Sequence, residues 1–370
     1  MFAIIFLVVM ACLNVYIWWR CLRRLHYRHG KYLVLIPMTL MLGDIFFILD
    51  IMTGFIPDSP TLYLITSSFV GLTFMMFVIA VIYDLTVTVS QRVPFDQEKR
   101  RTVKLIFDVT MLIAAFTYLF RGLSQGLKDP AINPVRVKIR DFPFDKFTIV
   151  QLTDLHVGRT IKRDFMERLV ERVNRLKPDM VVITGDLFDL RISHIEYDVY
   201  PLKDLQAPTY FILGNHEYFH GPGEAIEYVR SLGITPLINE CTVIGEGEKQ
   251  FNLIGLTDLI GHRTGLYQPD QEKCYQHVDQ TKPCIVLAHQ PKMMLHMDNY
   301  RCDLMLSGHT HGGQIFPFGL LVMTDQPYLA GLYNHTRDKQ IFVSRGTGYW
   351  GPPLRVLAPS EITHITVTRV

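Results

Sequence analysis

The stretch Gly308-His309-Thr310-His311-Gly312-Gly313 sets two imidazoles two residues apart, just past the short apolar run 303–307. On an extended segment beyond a strand end, side chains at i and i+2 share a face, so both rings point into one space. The flanking glycines let the backbone come close to an ion or a phosphate. One His-x-His pair carries little weight alone, but four upstream groups have complementary chemistry: Thr153-Asp154-Leu155-His156, Gly185-Asp186-Leu187-Phe188-Asp189, Gly214-Asn215-His216-Glu217 and Ala288-His289. Carboxylate, imidazole and amide donors together suit Mn, Fe, Zn or Co, whereas Ca and Mg prefer oxygen alone. Two such ions, roughly 3.5–4 Å apart, can share a carboxylate and clamp a phosphate for in-line attack.

Each group follows an apolar run of strand length: 147–152, 180–184, 210–213, 284–288 and 303–307. Further strands are expected near 251–256, 341–344 and 362–368. A helix over 163–176 gathers Phe165, Met166, Leu169, Val170 and Val173 on one face, and a second helix is expected near 223–232. The pattern is α/β: two packed mixed β-sheets flanked by helices. In such sheets, ligand sites collect at the carboxyl ends of the strands, where these polar groups fall.

The 370 residues allow two or three domains, and a net charge of +2 excludes the strong basicity of a nucleic-acid binder. The 49% hydrophobic content is concentrated at the N-terminus. Apolar runs at 2–19, 32–56, 62–83 and 103–120 each approach the ~20 residues of a spanning helix. The first lacks the basic start and small-residue cleavage site of a signal peptide, so four transmembrane helices are expected. Arg20, Arg23, Arg24, Arg28 and Lys31 follow the first run, and Arg92, Lys99, Arg100, Arg101 and Lys104 follow the third. The 57–61 loop has no Lys or Arg. The positive-inside rule then puts both basic loops in the cytoplasm and the large C-terminal part outside a cytoplasmic (inner) membrane. The expected domains are a membrane domain over 1–121, a connector over 122–133 and a catalytic domain over 134–370.

Four acids fall within the apolar runs. Asp84 and Asp108 are expected to be neutralised by Arg92 and Lys104, and Asp50 lies at about the depth of Arg121. Asp44 is nearest mid-membrane and reads as a helix-pairing group. The cysteines have no zinc-ligand spacing, and a disulfide in the outer part stays open.

Asp-x-His, Gly-Asp-x-x-Asp, Gly-Asn-His-Glu, a later His and Gly-His-x-His, in this order over about 147–345, resemble the calcineurin-like metallophosphoesterases. The text around them (Leu287-Ala288-His289-Gln290-Pro291, Ser307-Gly308-His309-Thr310-His311-Gly312-Gly313-Gln314 and Arg345-Gly346-Thr347-Gly348) is similar to the membrane-associated YkuE/YaeI-like branch. The resemblance implies a hydrolase with two divalent ions, manganese among the candidates. Asp154, His156, Asp186 and His311 would hold one ion, with Asp186 bridging to a second completed by Asn215, His289 and His309. It implies that His216 protonates the leaving oxygen or stabilises the transferring phosphoryl group, with Glu217 beside it. Glu217 and Asp189 read as groups that orient and support histidines.

Arg345 and Arg355, flanking Tyr349 and Trp350, are candidate phosphate contacts. The apolar stretch 315–323 reads either as a membrane-facing lip or as a buried hairpin. His220, His262 and His277 have no strand-end context and read as surface or turn residues. The expected activity is hydrolysis of a phosphodiester or pyrophosphate of a lipid or envelope component, with the bilayer as partner. The alternatives are a UDP-diacylglucosamine-type pyrophosphatase of lipid A synthesis, whose cytoplasmic substrate conflicts with the expected topology, and a non-catalytic membrane sensor. The loop charges predict that protease or a thiol label applied outside an intact inner membrane reaches the 134–370 part. Access only after that membrane is broken overturns the topology.

Overall fold

The computed structural model describes residues 2–25, 30–55, 59–90, 97–276 and 278–370. Arg28, Arg92 and His277 lie outside them, as do positions 57 and 58 of the uncharged loop and the side chains of 97–101. The chain divides into two compact units, Met1–Leu127 with Gly351–Val356, and Lys128–Trp350 with Leu357–Val370.

The first unit is built on α1 (Phe2–Tyr16), α2 (Leu35–Thr53), α3 (Pro60–Ser90) and α4 (Gln97–Gly126). Among the described residues four spans, Ala3–Arg24, Gly30–Thr53, Pro60–Val89 and Thr102–Gly126, are long and apolar enough to cross a membrane. Much of their apolar surface faces outward, as a lipid solvent requires. The acids find other partners than the sequence suggested. Asp84 is bound by Arg20 and Arg24 at 2.7 and 2.8 Å. Asp108 accepts from the Tyr83 hydroxyl at 3.1 Å, while Lys104 donates to the Arg24 carbonyl. Long basic side chains at a helix end reach whichever acceptor shares their depth, and sequence distance does not reveal it.

Helix α4 runs past the expected end at 121, so most of the expected connector 122–133 is helix and strand. The segment Gly351–Val356, expected in the catalytic domain, belongs to the membrane unit. The backbone N–H of Arg355 donates to the Gly122 carbonyl at 2.9 Å. One turn on, a Cβ at Gly126 would lie 1.9 Å from the Pro353 carbonyl oxygen, so only glycine lets the segment seat there.

Among the described residues the second unit has twelve strands: β1 (Ala131–Ile139), β2 (Phe147–Leu152), β3 (Met180–Ile183), β4 (Thr209–Phe211), β5 (Thr235–Pro236), β6 (Glu240–Glu246), β7 (Lys249–Gly255), β8 (Cys284–Leu287), β9 (Leu304–Ser307), β10 (Gly331–Asn334), β11 (Gln340–Val343) and β12 (Glu361–Arg369). They form two six-stranded mixed sheets, β1-β12-β2-β3-β4-β5 and β10-β11-β9-β8-β7-β6. Alternation along the strands makes the sandwich. Phe147 and Ile149 face Phe251, Leu253, Ile285 and Leu306 in the shared core, while Val150 and Leu152 point to the other face. That face is covered by α5 (Arg163–Leu176), α6 (Ile192–Val199) and α8 (Pro222–Ser231) through Met166, Leu169, Val170, Val173, Ile195 and Val229. Between α6 and α8 along the chain lies the short α7 (Asn215–His220). Strands buried on both faces read as continuous apolar runs, which is why they were visible in the sequence. The strand β1 was not, because Asn133-Pro134 breaks the pattern; as an edge strand it tolerates the missing N–H.

Candidate metal centre

Parallel pairing brings the carboxyl ends of β2, β3 and β4 to one edge of the first sheet, and those of β8 and β9 to one edge of the second. Gln151, fully buried on β2, ties the two edges together: its Nε2 donates to the Thr184 hydroxyl at 2.9 Å and to the Ser307 carbonyl at 3.0 Å. Beyond the strand ends the backbones lace together, with Asp154 N–H on the Gly185 carbonyl, His156 N–H on the Asp186 carbonyl and Gly308 N–H on the His289 carbonyl. Asp154, His156, Asp186, His309 and His311 all adopt left-handed φ between 50° and 68°. Asp and His tolerate this region better than most residues, at a cost of ~1–3 kcal/mol each. At Gly308 a Cβ would sit 2.2 Å from both Asp154 Oδ2 and Thr153 Oγ1, so the turn into His309 cannot accept a side chain there.

The donor atoms converge in three overlapping groups: Asp154, His156 and His311; His156, Asp186 and His216; and Asp186, His289 and His309. Asp186 and His156 each belong to two of them, and Asp186, the carboxylate of the two, has a second oxygen with which to bridge. Its Oδ2 lies 3.1 Å from His289 Nε2 and 3.9 Å from His156 Nε2, and its Oδ1 accepts from the His216 backbone N–H at 2.9 Å. His289 Nδ1 faces the Thr184 carbonyl at 2.8 Å, and a carbonyl only accepts, so Nδ1 carries the proton. In its neutral form the ring turns an Nε2 lone pair toward Asp186 Oδ2 and toward Asn215 Oδ1 at 3.1 Å. Burial would lower this ring, but the carboxylates of Asp186, Asp154 and Asp258 hold it well above its ordinary value, which marks the same spot as one that attracts positive charge. His156 repeats the pattern, with Nδ1 at 2.7 Å from Asp189 Oδ1 and Nε2 facing His311 Nε2 at 3.0 Å. Lone pairs aimed at lone pairs in a buried space call for a shared cation, and nitrogen-plus-carboxylate donors suit divalent transition metals. The residues fit a pair of such ions.

The electrostatics agree. Burial raises a carboxyl, yet the imidazoles of His289 and His216 hold Asp186 well below the usual carboxylate range. Burial depresses His309 to about 3, leaving it neutral, the form that ligates a metal. His216 is at the rim. Burial alone would lower its ring, but Asp186 and Asp189 raise it to about 9. Its Nδ1 lies 2.7 Å from Asp189 Oδ1 without the alignment of a hydrogen bond.

All seven residues expected to hold metal come together with His216. Asp189 Oδ1 lies 2.7 Å from both His156 Nδ1 and His216 Nδ1. Glu217 supports something else: its buried carboxylate accepts from the backbone N–H groups of Gly214, Asp186, Leu187 and Phe188 at 2.7–3.1 Å. It therefore fastens the Asp186 loop to the Asn215 loop. Burial and the Asp186 charge push it up to about 7, against those N–H donors. Arg345 pairs with Glu361 at 2.8 Å, and Arg355 is buried within the membrane unit. Two residues went unnoticed in the sequence. Gln151 hides in an apolar strand. Asp258 ends Leu256-Thr257-Asp258 after β7, the same strand-to-acid signal as Thr153-Asp154, and accepts from Gln290 Nε2 at 2.8 Å.

A model of the calcineurin-like phosphoesterase family matches residues 147–313. An uncharacterized metallophosphoesterase of Helicobacter pylori is 38% identical over 308 residues, covering 82% of this chain and 82% of that one. A protein of Danio rerio named transmembrane protein with metallophosphoesterase domain is 34% identical over 280 residues, covering 72% and 63%. The uncharacterized metallophosphoesterase YkuE of Bacillus subtilis is 34% identical over 259 residues, covering 67% and 88%.

Asp186→Asn is expected to lose bound metal and turnover together, checked by elemental analysis beside rate; two retained ions with near-normal turnover would remove it from the bridge. Glu217→Gln turns an amide donor toward N–H donors. It should destabilise the protein by about 1–3 kcal/mol in thermal or denaturant unfolding, and a variant as stable as the parent would deny Glu217 the fastening role.

Proposed function

Because the chain belongs to the calcineurin-like phosphoesterase family and is a metal-dependent phosphoesterase, we propose that it hydrolyses a phosphodiester or pyrophosphate bond in a lipid or a lipid-linked envelope component. The observation that carries the substrate class is an apolar rim around a polar centre. Beyond His311 the chain forms no buried hairpin: it turns into one helical turn, Gly319–Val322, with Leu320 and Leu321 more than 60% exposed and Phe316, Phe318 and Met323 also exposed. The His216 ring lies 5.7 Å from Phe219 and 6.3 Å from Trp350, both exposed. Apolar side chains left in solvent around a phosphate-sized polar site fit acyl chains.

Asp154, His156 and His311 would hold one ion, His289, His309 and Asn215 the other, with Asp186 between them. The ions, Mn, Fe, Zn or Co, would supply Lewis-acid polarisation of the phosphoryl group and an activated water. His216, cationic beside Asp186 and Asp189, gives a proton to the leaving oxygen. Asp189 holds the His156 ring in the tautomer that presents Nε2 inward. The reading also sets the catalytic unit on the extracytoplasmic side of the cytoplasmic membrane, supported by the basic loops.

The test uses the full-length protein in liposomes, with a lipid phosphodiester in the bilayer and a water-soluble aryl phosphodiester outside it. Leu320→Ser with Leu321→Ser should slow lipid hydrolysis by at least about tenfold. One leucine side chain leaving water is worth ~1.5–3 kcal/mol, and about 1.4 kcal/mol is tenfold. Soluble turnover should stay the same. Equal loss on both substrates, or none on the lipid, removes the lipid reading and leaves the phosphoesterase in place.

A further inference from the structure

The membrane unit contains a carboxylate that its neighbours leave unbalanced. Asp44, on α2, has no exposed surface. Its Oδ2 accepts from the Asn14 side-chain amide at 3.2 Å and from the Thr73 hydroxyl at 3.0 Å. Its Oδ1, and the Oδ1 of the buried Asn14, have no hydrogen-bond partner among the described residues. The charge is unmatched as well. The elements packed on α2 are α1, α3 and the short turn Gly30–Val34. Helix α1 brings Cys12 and Tyr16 but no acid or base, and α3 brings Tyr63, Tyr83 and Asp84. Asp50 is the other acid on α2, and Lys31, at the membrane end of that turn, stands more than three helical turns before Asp44 in the chain. Arg20 and Arg24, which end the first span, are taken by Asp84. An ionised carboxylate met only by neutral donors in hydrocarbon is strongly disfavoured.

We propose that Asp44 is a proton-binding site of the membrane unit: its carboxyl is carried neutral, with the proton on Oδ1 donated to Asn14 Oδ1. A carboxylic acid and a primary amide are planar forks that close into a two-bond ring. One bond of that ring is in place, Asn14 Nδ2–H to Asp44 Oδ2. The other Nδ2–H is held by the Met10 carbonyl at 3.0 Å, which fixes the orientation of the amide. One added proton closes the second bond and satisfies both orphaned oxygens at once. It also removes the buried charge. Asn14 also stands in the wall of an apolar cavity of about 420 Å³ with Trp18, Pro37, Met38 and Met41.

A sodium ion is the rival occupant of the two oxygens, and one set of measurements separates them. The full-length protein in liposomes is compared with Asp44→Asn by infrared difference spectroscopy in H2O and D2O. The expected result is a protonated-carboxyl carbonyl band in the native protein that shifts in D2O and is lost in the variant. Asn14→Leu should lower Tm by stranding the acid. The swap Asn14→Asp with Asp44→Asn rebuilds the acid–amide pair and should restore both band and Tm. Sodium chloride and choline chloride should give the same Tm. Absence of the band from the native protein, or a Tm raised by sodium alone and lost in Asp44→Asn, overturns the proposal. Asp44→Asn is nearly isosteric with the neutral acid, so the spectroscopic arm stands even if Asn14→Leu fails to fold.

Discussion

An imidazole nitrogen that faces another ring nitrogen or a carboxylate oxygen across about 3 Å of buried space is stable only when positive charge lies between them. The catalytic unit is arranged around several such confrontations, His156 with His311 and His289 with Asp186 and Asn215. The two sheets meet edge to edge through Gln151 because the facing groups come from different sheets, Asp154, His156, Asp186 and Asn215 from one, His289, His309 and His311 from the other. A small slip between the sheets would separate the halves of each ion site. The apolar sandwich core beneath gives the registry its stiffness.

Holding these donors in place strains the backbone, and a second polar network absorbs the strain. Five donor residues sit in the left-handed region, where a strand would not continue of its own accord. The compensation comes from carboxylates used as backbone acceptors. Glu217 binds four N–H groups across two loops, and both oxygens of Asp154 accept from the His309 N–H at 3.0 Å, joining β2 to the turn after β9. An acid in this site therefore has one of two tasks. Asp186 and Asp154 belong to the candidate ion-holding groups as well as accepting from the backbone, whereas the carboxylate of Glu217 accepts from backbone N–H groups.

The sequence revealed what periodicity and motif spacing encode. Doubly buried strands appear as apolar runs, α5 appears as one face of five apolar residues, and the strand-end acids and histidines follow each run. Edge and hairpin strands such as β1, β6 and β10 stayed hidden, because one side is open to solvent and their apolar signal is diluted. Partner choice was less legible still. Glu217 was expected to serve a histidine and serves the backbone, since capping of a loop depends on folded geometry. Asp84 takes Arg20 and Arg24, residues 64 and 60 positions away. Asp258 was the avoidable omission, for it repeats a pattern already recognised in Asp154.

The placement of Gly351–Val356 within the membrane unit bears on how this enzyme could be regulated or exchanged in evolution. A domain hung on a single linker can be shed by one proteolytic cut and can be moved to a new anchor by one gene fusion. Here the polypeptide passes between the units at 127/128, 350/351 and 356/357. The described spans all precede the first crossing, so a single cut there separates the membrane helices from the rest of the polypeptide, with Gly351–Val356 left on the released side. A form shortened by that cut would carry 351–356 stripped of its helix partners, Gly122 and Gly126 among them.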